Sequence, residues 1–136
     1  MHWQAQTLGD TLSRNAELFP QQEALVIGED RLTYGELHVR VAEMARGLRA
    51  MGVKRGDHVA VCMGNTVEWV VFFYAAATVG AVTVPVNTRF KADELAYCLK
   101  QADVKLSTHH RALRSRLWRP LLQRARAEKS SFVAGV

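Results

Sequence analysis

This 136-residue sequence contains only two cysteines and three prolines, and both shortages exclude classes of protein. Two cysteines cannot form a disulfide framework, and such usage fits a reducing compartment. The first residues show neither the basic nor the apolar segment of a secretory signal, so we expect a cytoplasmic protein. With nine glycines, 49% hydrophobic residues and 23% charged residues, the composition is that of one globular domain, not of a collagen-like, low-complexity or disordered chain.

The motifs of common phosphate-binding and hydrolytic sites are also missing. The sequence has no Gly-x-x-x-x-Gly-Lys-Ser/Thr, no Gly-x-Gly-x-x-Gly and no Gly-x-Ser-x-Gly. Its basic glycine turn, residues 52–56, precedes a predicted strand instead of opening a helix, which predicts a surface turn. The histidines and cysteines show no metal-ligand spacing, and neither cysteine has an evident histidine base beside it. We therefore predict no catalytic, cofactor-binding or metal-ligating residue in this chain.

Acidic residues are almost absent from the last part of the chain. Residues 1–104 carry 10 Lys/Arg and 12 Asp/Glu, a net charge of −2, whereas residues 105–136 carry 8 Lys/Arg and only Glu128, a net charge of +7. This segment indicates either an arm that binds nucleic acid or an anionic membrane, or a solvated tail. Pro120 interrupts its helical pattern, which favours the solvated tail. The arginines that would carry the binding are Arg111, Arg114, Arg116, Arg119, Arg124 and Arg126.

The rest of the sequence alternates between helical and strand-like hydrophobic patterns. Thr33-Tyr34-Gly35-Glu36 is a capping box, and Gly52 follows the helix that this box begins. The uncharged stretch 69–86 contains Gly80 and Pro85, so it predicts a buried helix followed by a buried strand and not a membrane span. The patterns predict helices over residues 7–19, 33–51, 68–79 and 91–101, and strands over 24–27, 31–33, 58–63, 81–86 and from 104.

Capping residues and apolar faces support these helices. Thr7 or Asp10 caps the first helix, and Asn65 with Glu68 forms a second capping signature before the third. We expect the apolar faces to consist of Leu8, Leu12, Ala16 and Phe19 in the first helix, of Leu37, Val41, Met44, Ala45, Leu48 and Met51 in the second, and of Leu95, Cys98 and Leu99 in the fourth.

The order of these elements predicts an α/β fold. Strands that alternate with helices form right-handed βαβ crossovers, and therefore a mostly parallel sheet flanked by helices. The two short strands at 24–27 and 31–33 add a hairpin near the N-terminus. After Leu106 the apolar pattern stops: Ser107-Thr108-His109-His110 is polar, and we predict no apolar strand there.

A series of short segments occurs in a fixed order between residues 7 and 106. They are Thr7-Leu8-Gly9-Asp10-Thr11-Leu12, Phe19-Pro20, Ala24-Leu25-Val26, Leu32-Thr33-Tyr34-Gly35-Glu36-Leu37, Ala45-x-Gly47-Leu48, Met51-Gly52-Val53-x-x-Gly56-Asp57-x-Val59-Ala60, Asn65-x-x-Glu68-Trp69 and Gly80-Ala81-Val82-x-Val84-Pro85-Val86-Asn87-Thr88-Arg89. Each is weak alone. As an ordered set they resemble the N-terminal part of the adenylate-forming, AMP-binding superfamily, in particular its acyl-CoA synthetases.

This resemblance implies an incomplete N-terminal part of that fold. It also implies, for full-length members, a reaction of a carboxylic acid with ATP to an acyl-adenylate and pyrophosphate, followed by transfer of the acyl group to CoA. Magnesium is the usual metal of such enzymes. The ending Val84-Pro85-Val86-Asn87-Thr88-Arg89 is more similar to fatty-acid or organic-acid CoA ligases than to peptide-synthetase modules.

The motifs that carry the family's chemistry do not occur in this sequence. Its Ser/Thr/Gly-rich phosphate loop, its Tyr-Gly-x-Thr-Glu segment, its ribose-binding aspartate and its C-terminal lysine are missing, so the resemblance transfers no ATP, magnesium or CoA site. We expect residues 1–106 to form a partial AMP-binding domain that is inactive alone, or that is completed by the rest of the enzyme on another chain. We expect residues 107–136 to form a basic, poorly ordered tail, which is either the product of a reading-frame shift or genuine.

Overall fold

The computed structural model describes residues 6–109 and 133–134. The chain divides into two units, one drawn from residues 1–54 and 65–80 and the other from residues 55–64 and 81–136. The elements follow one another as α1 (Leu8–Leu18), β1 (Glu23–Ile27), β2 (Asp30–Thr33), α2 (Tyr34–Ala50), β3 (His58–Cys62), α3 (Val67–Val79), β4 (Val82–Pro85), α4 (Ala92–Gln101), β5 (Val104–His109) and β6 (Val133–Ala134). The first unit contains α1, the β1–β2 hairpin, α2 and α3, and the second contains α4 and the other four strands.

Helix α1 begins at a reciprocal capping box. The Asp10 N–H donates to Thr7 Oγ1 at 3.1 Å, and the Thr7 N–H donates to Asp10 Oδ2 at 2.9 Å. The Thr7 hydroxyl also donates to Asp10 Oδ2, at 2.7 Å. The two hydrogen bonds that Asp10 Oδ2 accepts, from the Thr7 N–H and the Thr7 hydroxyl, lower the pKa of the Asp10 carboxyl because they favour its charged form. The predicted helix is confirmed, but its buried face is narrower than expected: Leu12 is buried, whereas Leu8 and Phe19 are about half exposed.

Helix α2 has both of its predicted ends. The Thr33 N–H donates to Glu36 Oε2 at 2.9 Å, and the Glu36 N–H donates to Thr33 Oγ1 at 3.3 Å. At the other end, just after the helix, Gly52 has a φ of 85°, a left-handed conformation that glycine adopts without strain. The buried side chains of the helix are Leu37, Val41, Ala45 and Leu48, whereas Met44 is half-buried and Met51 is exposed.

The predicted hairpin near the N-terminus is confirmed. Strands β1 and β2 pair in antiparallel fashion around a turn at Gly28 and Glu29.

Helix α3 starts one residue away from its predicted cap. Its N-cap is Thr66 and not Asn65, and Thr66 Oγ1 accepts a hydrogen bond from the Trp69 N–H at 3.3 Å. Both residues are good capping types, so the sequence alone does not separate them.

The long uncharged stretch is divided between a helix and a strand, as predicted. Helix α3 ends where Gly80 adopts a φ of 83°, and β4 follows two residues later. Among residues 6–109 and 133–134, none of the helices combines the length and the hydropathy that a membrane span requires.

The second unit is built on a four-stranded sheet with the order β4-β3-β5-β6, in which all neighbouring strands are parallel. This confirms the predicted mixed α/β fold with a parallel sheet. One hydrophobic cluster joins Ala60 and Cys62 of β3, Leu95 and Leu99 of α4, and Val86. The face of the sheet that carries Ala60 and Cys62 is therefore covered by α4.

Strand β5 continues three residues beyond the point at which the sequence pattern stops. Ser107, Thr108 and His109 belong to β5 and are buried, so the strand that was predicted to begin at Val104 extends into the segment where no apolar strand was expected. The prediction missed these three residues because it relied on an apolar pattern and they are polar. Strand β6 then pairs with β5, with Val133 opposite Leu106, so the sheet also includes residues from the last part of the chain.

Candidate functional site

The candidate site is the edge of the sheet at which β3, β4 and β5 end, which we call the carboxyl edge. In open parallel α/β sheets, ligands bind outside the carboxyl ends of the strands. Because these strands run parallel, their last residues lie at the same edge: Cys62 is the register partner of His109, and Val61 is the partner of Pro85. This edge is therefore the first place to look for functional side chains.

Three buried side chains form what we call the polar row: Cys62, Ser107 and His109. In-register residues on neighbouring strands lie on the same face of a sheet, and residues two apart in one strand share a face. The pairs Cys62–His109 and Ala60–Ser107 therefore place the polar row on the face that is covered by α4. All three side chains are at least nine-tenths buried.

The thiol of Cys62 is not activated by this arrangement. Burial raises the pKa of the Cys62 thiol above its ordinary value, so the protonated, weakly nucleophilic form is favoured at neutral pH. Neither cysteine has an adjacent histidine in the sequence, whereas the register makes His109 the cross-strand neighbour of Cys62. Both residues end a strand of one parallel sheet, and this shared position is the signal that sequence reasoning missed.

The Ser107 hydroxyl is the unusual member of the polar row. Its side chain is fully buried, and its Oγ makes no hydrogen bond within the part of the chain that the structure describes. A buried hydroxyl without a partner is destabilising by about 1–3 kcal/mol. Such a group is an exception among buried polar groups, nearly all of which are hydrogen-bonded.

The loop that follows β4 at this edge is held by local hydrogen bonds. Asn87 Oδ1 accepts from the Arg89 N–H at 2.9 Å, and the Asn87 carbonyl accepts from the Phe90 N–H at 3.2 Å. The Lys91 N–H then donates to Glu94 Oε2 at 2.7 Å and caps α4. These contacts place the exposed Arg89 in a fixed turn beside the carboxyl edge.

The opposite edge of the sheet carries polar contacts between distant residues. His58 Nδ1 lies 2.6 Å from the Ala102 carbonyl oxygen, and Lys105 Nζ lies 2.7 Å from Asp57 Oδ2. A groove of about 320 Å³ runs along this edge between Gly56 and Lys105. These contacts hold the chain at the start of β3 to Ala102, just after α4, and to Lys105 in β5, which is a structural role.

No metal centre is assembled in the described residues. Within residues 6–109 and 133–134, no group of three or more histidine, cysteine or carboxylate side chains is placed to hold an ion. The basic turn predicted at 52–56 is observed at the surface, with Lys54 and Arg55 exposed and Gly56 at a φ of 85°. The six arginines of the predicted basic arm, Arg111, Arg114, Arg116, Arg119, Arg124 and Arg126, lie outside the described residues.

Comparison with known proteins gives consistent relatives. The sequence profile of the AMP-binding enzyme family matches residues 12–132. The acyl-CoA ligase SID4 of Ajellomyces capsulatus is 40% identical over 102 residues, which make up 74% of this chain and 17% of that protein. The 2-succinylbenzoate–CoA ligase of Bacillus thuringiensis is 37% identical over 99 residues, 73% of this chain and 20% of that protein.

A solved structure agrees with this result. The crystal structure of the N-terminal domain of FACL13 from Mycobacterium tuberculosis matches with a TM-score of 0.81 at 29% identity, over 96% of this chain and 34% of that domain. The chain spans 17% and 20% of the length of these two ligases. The similarity therefore concerns an N-terminal part of proteins that are much longer.

Proposed function

This chain belongs to the AMP-binding enzyme family, and on that premise we propose that it is the N-terminal portion of an AMP-forming acid–CoA ligase. The observation that carries this proposal is the family match over residues 12–132. The similarity to an N-terminal domain of known structure supports it. In the complete reaction a carboxylic acid, ATP and CoA give acyl-CoA, AMP and pyrophosphate, by way of an acyl-adenylate.

This chain contributes scaffold to that reaction. Strands β3, β4 and β5 form a sheet edge, and the polar row there offers a thiol, a hydroxyl and an imidazole. Magnesium prefers carboxylate and phosphate oxygens in octahedral geometry. The polar row does not fit that ion, so we assign no step through magnesium to the residues of this chain.

We infer that the 136-residue chain alone forms no acyl-adenylate. Nucleotidyl transfer depends on positioned donors and cations around the phosphates. The phosphate loop and the catalytic lysine that the family uses for this purpose do not occur in the sequence.

Acid-dependent exchange of labelled pyrophosphate into ATP tests this inference. The purified chain is incubated with ATP, magnesium, labelled pyrophosphate and a panel of aliphatic and aromatic carboxylic acids. We expect exchange equal to that of a mock preparation from the same host, while a full-length acid–CoA ligase serves as the positive control. Exchange that requires the acid and increases with the concentration of the chain would overturn the inference.

A second candidate function, binding of nucleic acid through the basic arm, is supported by the charge of +7 on residues 105–136. Six arginine–phosphate contacts on duplex DNA would give a slope of log K against log salt of about −5. The test measures binding of a labelled duplex over a salt series, with vesicles that contain anionic lipid as a separate arm.

A matched pair of variants makes that test specific. One variant replaces Arg111, Arg114, Arg116, Arg119, Arg124 and Arg126 by glutamine. The other replaces six exposed arginines elsewhere: Arg14, Arg40, Arg46, Arg49, Arg55 and Arg89. The charge change is the same in both, so the arm is supported only if the first variant loses binding and the second keeps it. Equal losses would identify non-specific charge as the cause.

The third proposal is that a separate chain carries the remainder of the enzyme and completes this one. We propose that such a chain and this one associate in the cytoplasm, where the free thiols Cys62 and Cys98 stay reduced. The test co-expresses this chain with a tagged remainder taken from a full-length ligase. Co-purification together with restored pyrophosphate exchange supports the proposal, and failure of the two chains to co-purify rejects it.

The origin of residues 107–136 is tested at the level of the gene. Strand β5 runs through His109 and the family match reaches residue 132, and both observations favour a genuine segment over a shifted reading frame. Translation of all three frames downstream of codon 106 distinguishes them. A phosphate loop in another frame would establish the shift, and its absence there would establish a genuine segment.

A further inference from the structure

No further inference is drawn: the strongest candidate, the polar row of Cys62, Ser107 and His109 at the carboxyl edge of the parallel sheet, has no third histidine, cysteine or carboxylate ligand beside it in the part of the chain that the structure describes, and nothing in the structure shows what would occupy it.

Discussion

The two units of this chain both contain local caps, but their long-range polar contacts differ in reach: that of Ser13 with His38 in the first unit joins residues 25 apart, and two contacts in the second unit reach farther. In the first unit the ends of the helices are fixed by neighbours, as in the Thr7–Asp10 hydrogen bonds, which join residues three apart. In the second unit the contact of His58 with Ala102 joins residues 44 apart, and that of Lys105 with Asp57 joins residues 48 apart. Local contacts define where an element starts and stops, whereas distant contacts decide which side chains meet.

The largest expected effect is the loss of stability when a buried leucine is shortened, and it compares the hydrophobic cores of the two units. Leu48 of α2 and Leu95 of α4 are both fully buried. We expect Leu48→Ala and Leu95→Ala each to lower the free energy of unfolding by about 2–5 kcal/mol, because each leaves a cavity in a packed core. Urea denaturation measures the loss. Val39→Ala, at a position that is 57% exposed, is the control and should stay within about 0.5 kcal/mol of the parent. A loss no larger than that control in either leucine variant would contradict the assigned core.

The next largest change in stability should be a gain for a serine of the second unit and a loss for a serine of the first. Ser107→Ala removes a buried hydroxyl that has no partner in the described residues, so we expect the variant to gain about 1–3 kcal/mol of stability. Ser13→Ala removes an Oγ that lies 3.3 Å from His38 Nε2, so we expect that variant to lose about 0.5–1.5 kcal/mol. Thermal unfolding of both variants provides the measurement. Destabilisation by Ser107→Ala would mean that this hydroxyl has a partner.

Replacing two glycines by alanine should give smaller changes in stability, again of opposite sign. Gly80 has a φ of 83°, where a side chain is strained, so Gly80→Ala should lose about 1–2 kcal/mol. Gly47 lies inside α2, and a Cβ there would meet nothing within 4 Å. Gly47→Ala should therefore gain up to about 1 kcal/mol from helix propensity. Equal shifts in the melting temperatures of the two variants would refute this account.

The smallest effect is a pH dependence at the start of α1. Hydrogen bonds from Thr7 lower the pKa of the Asp10 carboxyl below its ordinary value in the folded chain. The charged carboxylate therefore stabilises the fold above that value, and this contribution is lost as the pH falls through the lowered pKa. Asp10→Asn should lower stability at pH 6, and its difference from the parent should shrink as the pH falls towards 2. A difference in unfolding free energy that persists unchanged from pH 6 to pH 2 would exclude this titration.

The helices and their boundaries were largely predictable from the sequence because their signals are local. The Thr33–Glu36 capping box and Gly52 mark α2 within a few residues of its ends, and the structure confirms both. The error at the start of α3 is a choice between the adjacent capping residues Asn65 and Thr66. Such signals depend on nothing outside the segment itself.

The polar row was not predictable by the same reasoning. Cys62 and His109 become neighbours only through the register of two parallel strands, and no local pattern encodes that register. The end of β5 was not predicted because Ser107 and Thr108 are polar, although they are buried in the sheet. Non-local pairing overrode the hydrophobic pattern at this point.

Strand β4 has a consequence for association between copies of this chain. Within the described residues its single neighbour in the sheet is β3, towards which the N–H groups of Val82 and Val86 point. Strand alternation therefore directs the backbone of Thr83 and Pro85 outwards, and Pro85 has no N–H to donate. A strand from another molecule would meet the N–H and carbonyl groups of Thr83 but only the carbonyl of Pro85, so the missing donor disfavours growth of the sheet into an aggregate at this edge.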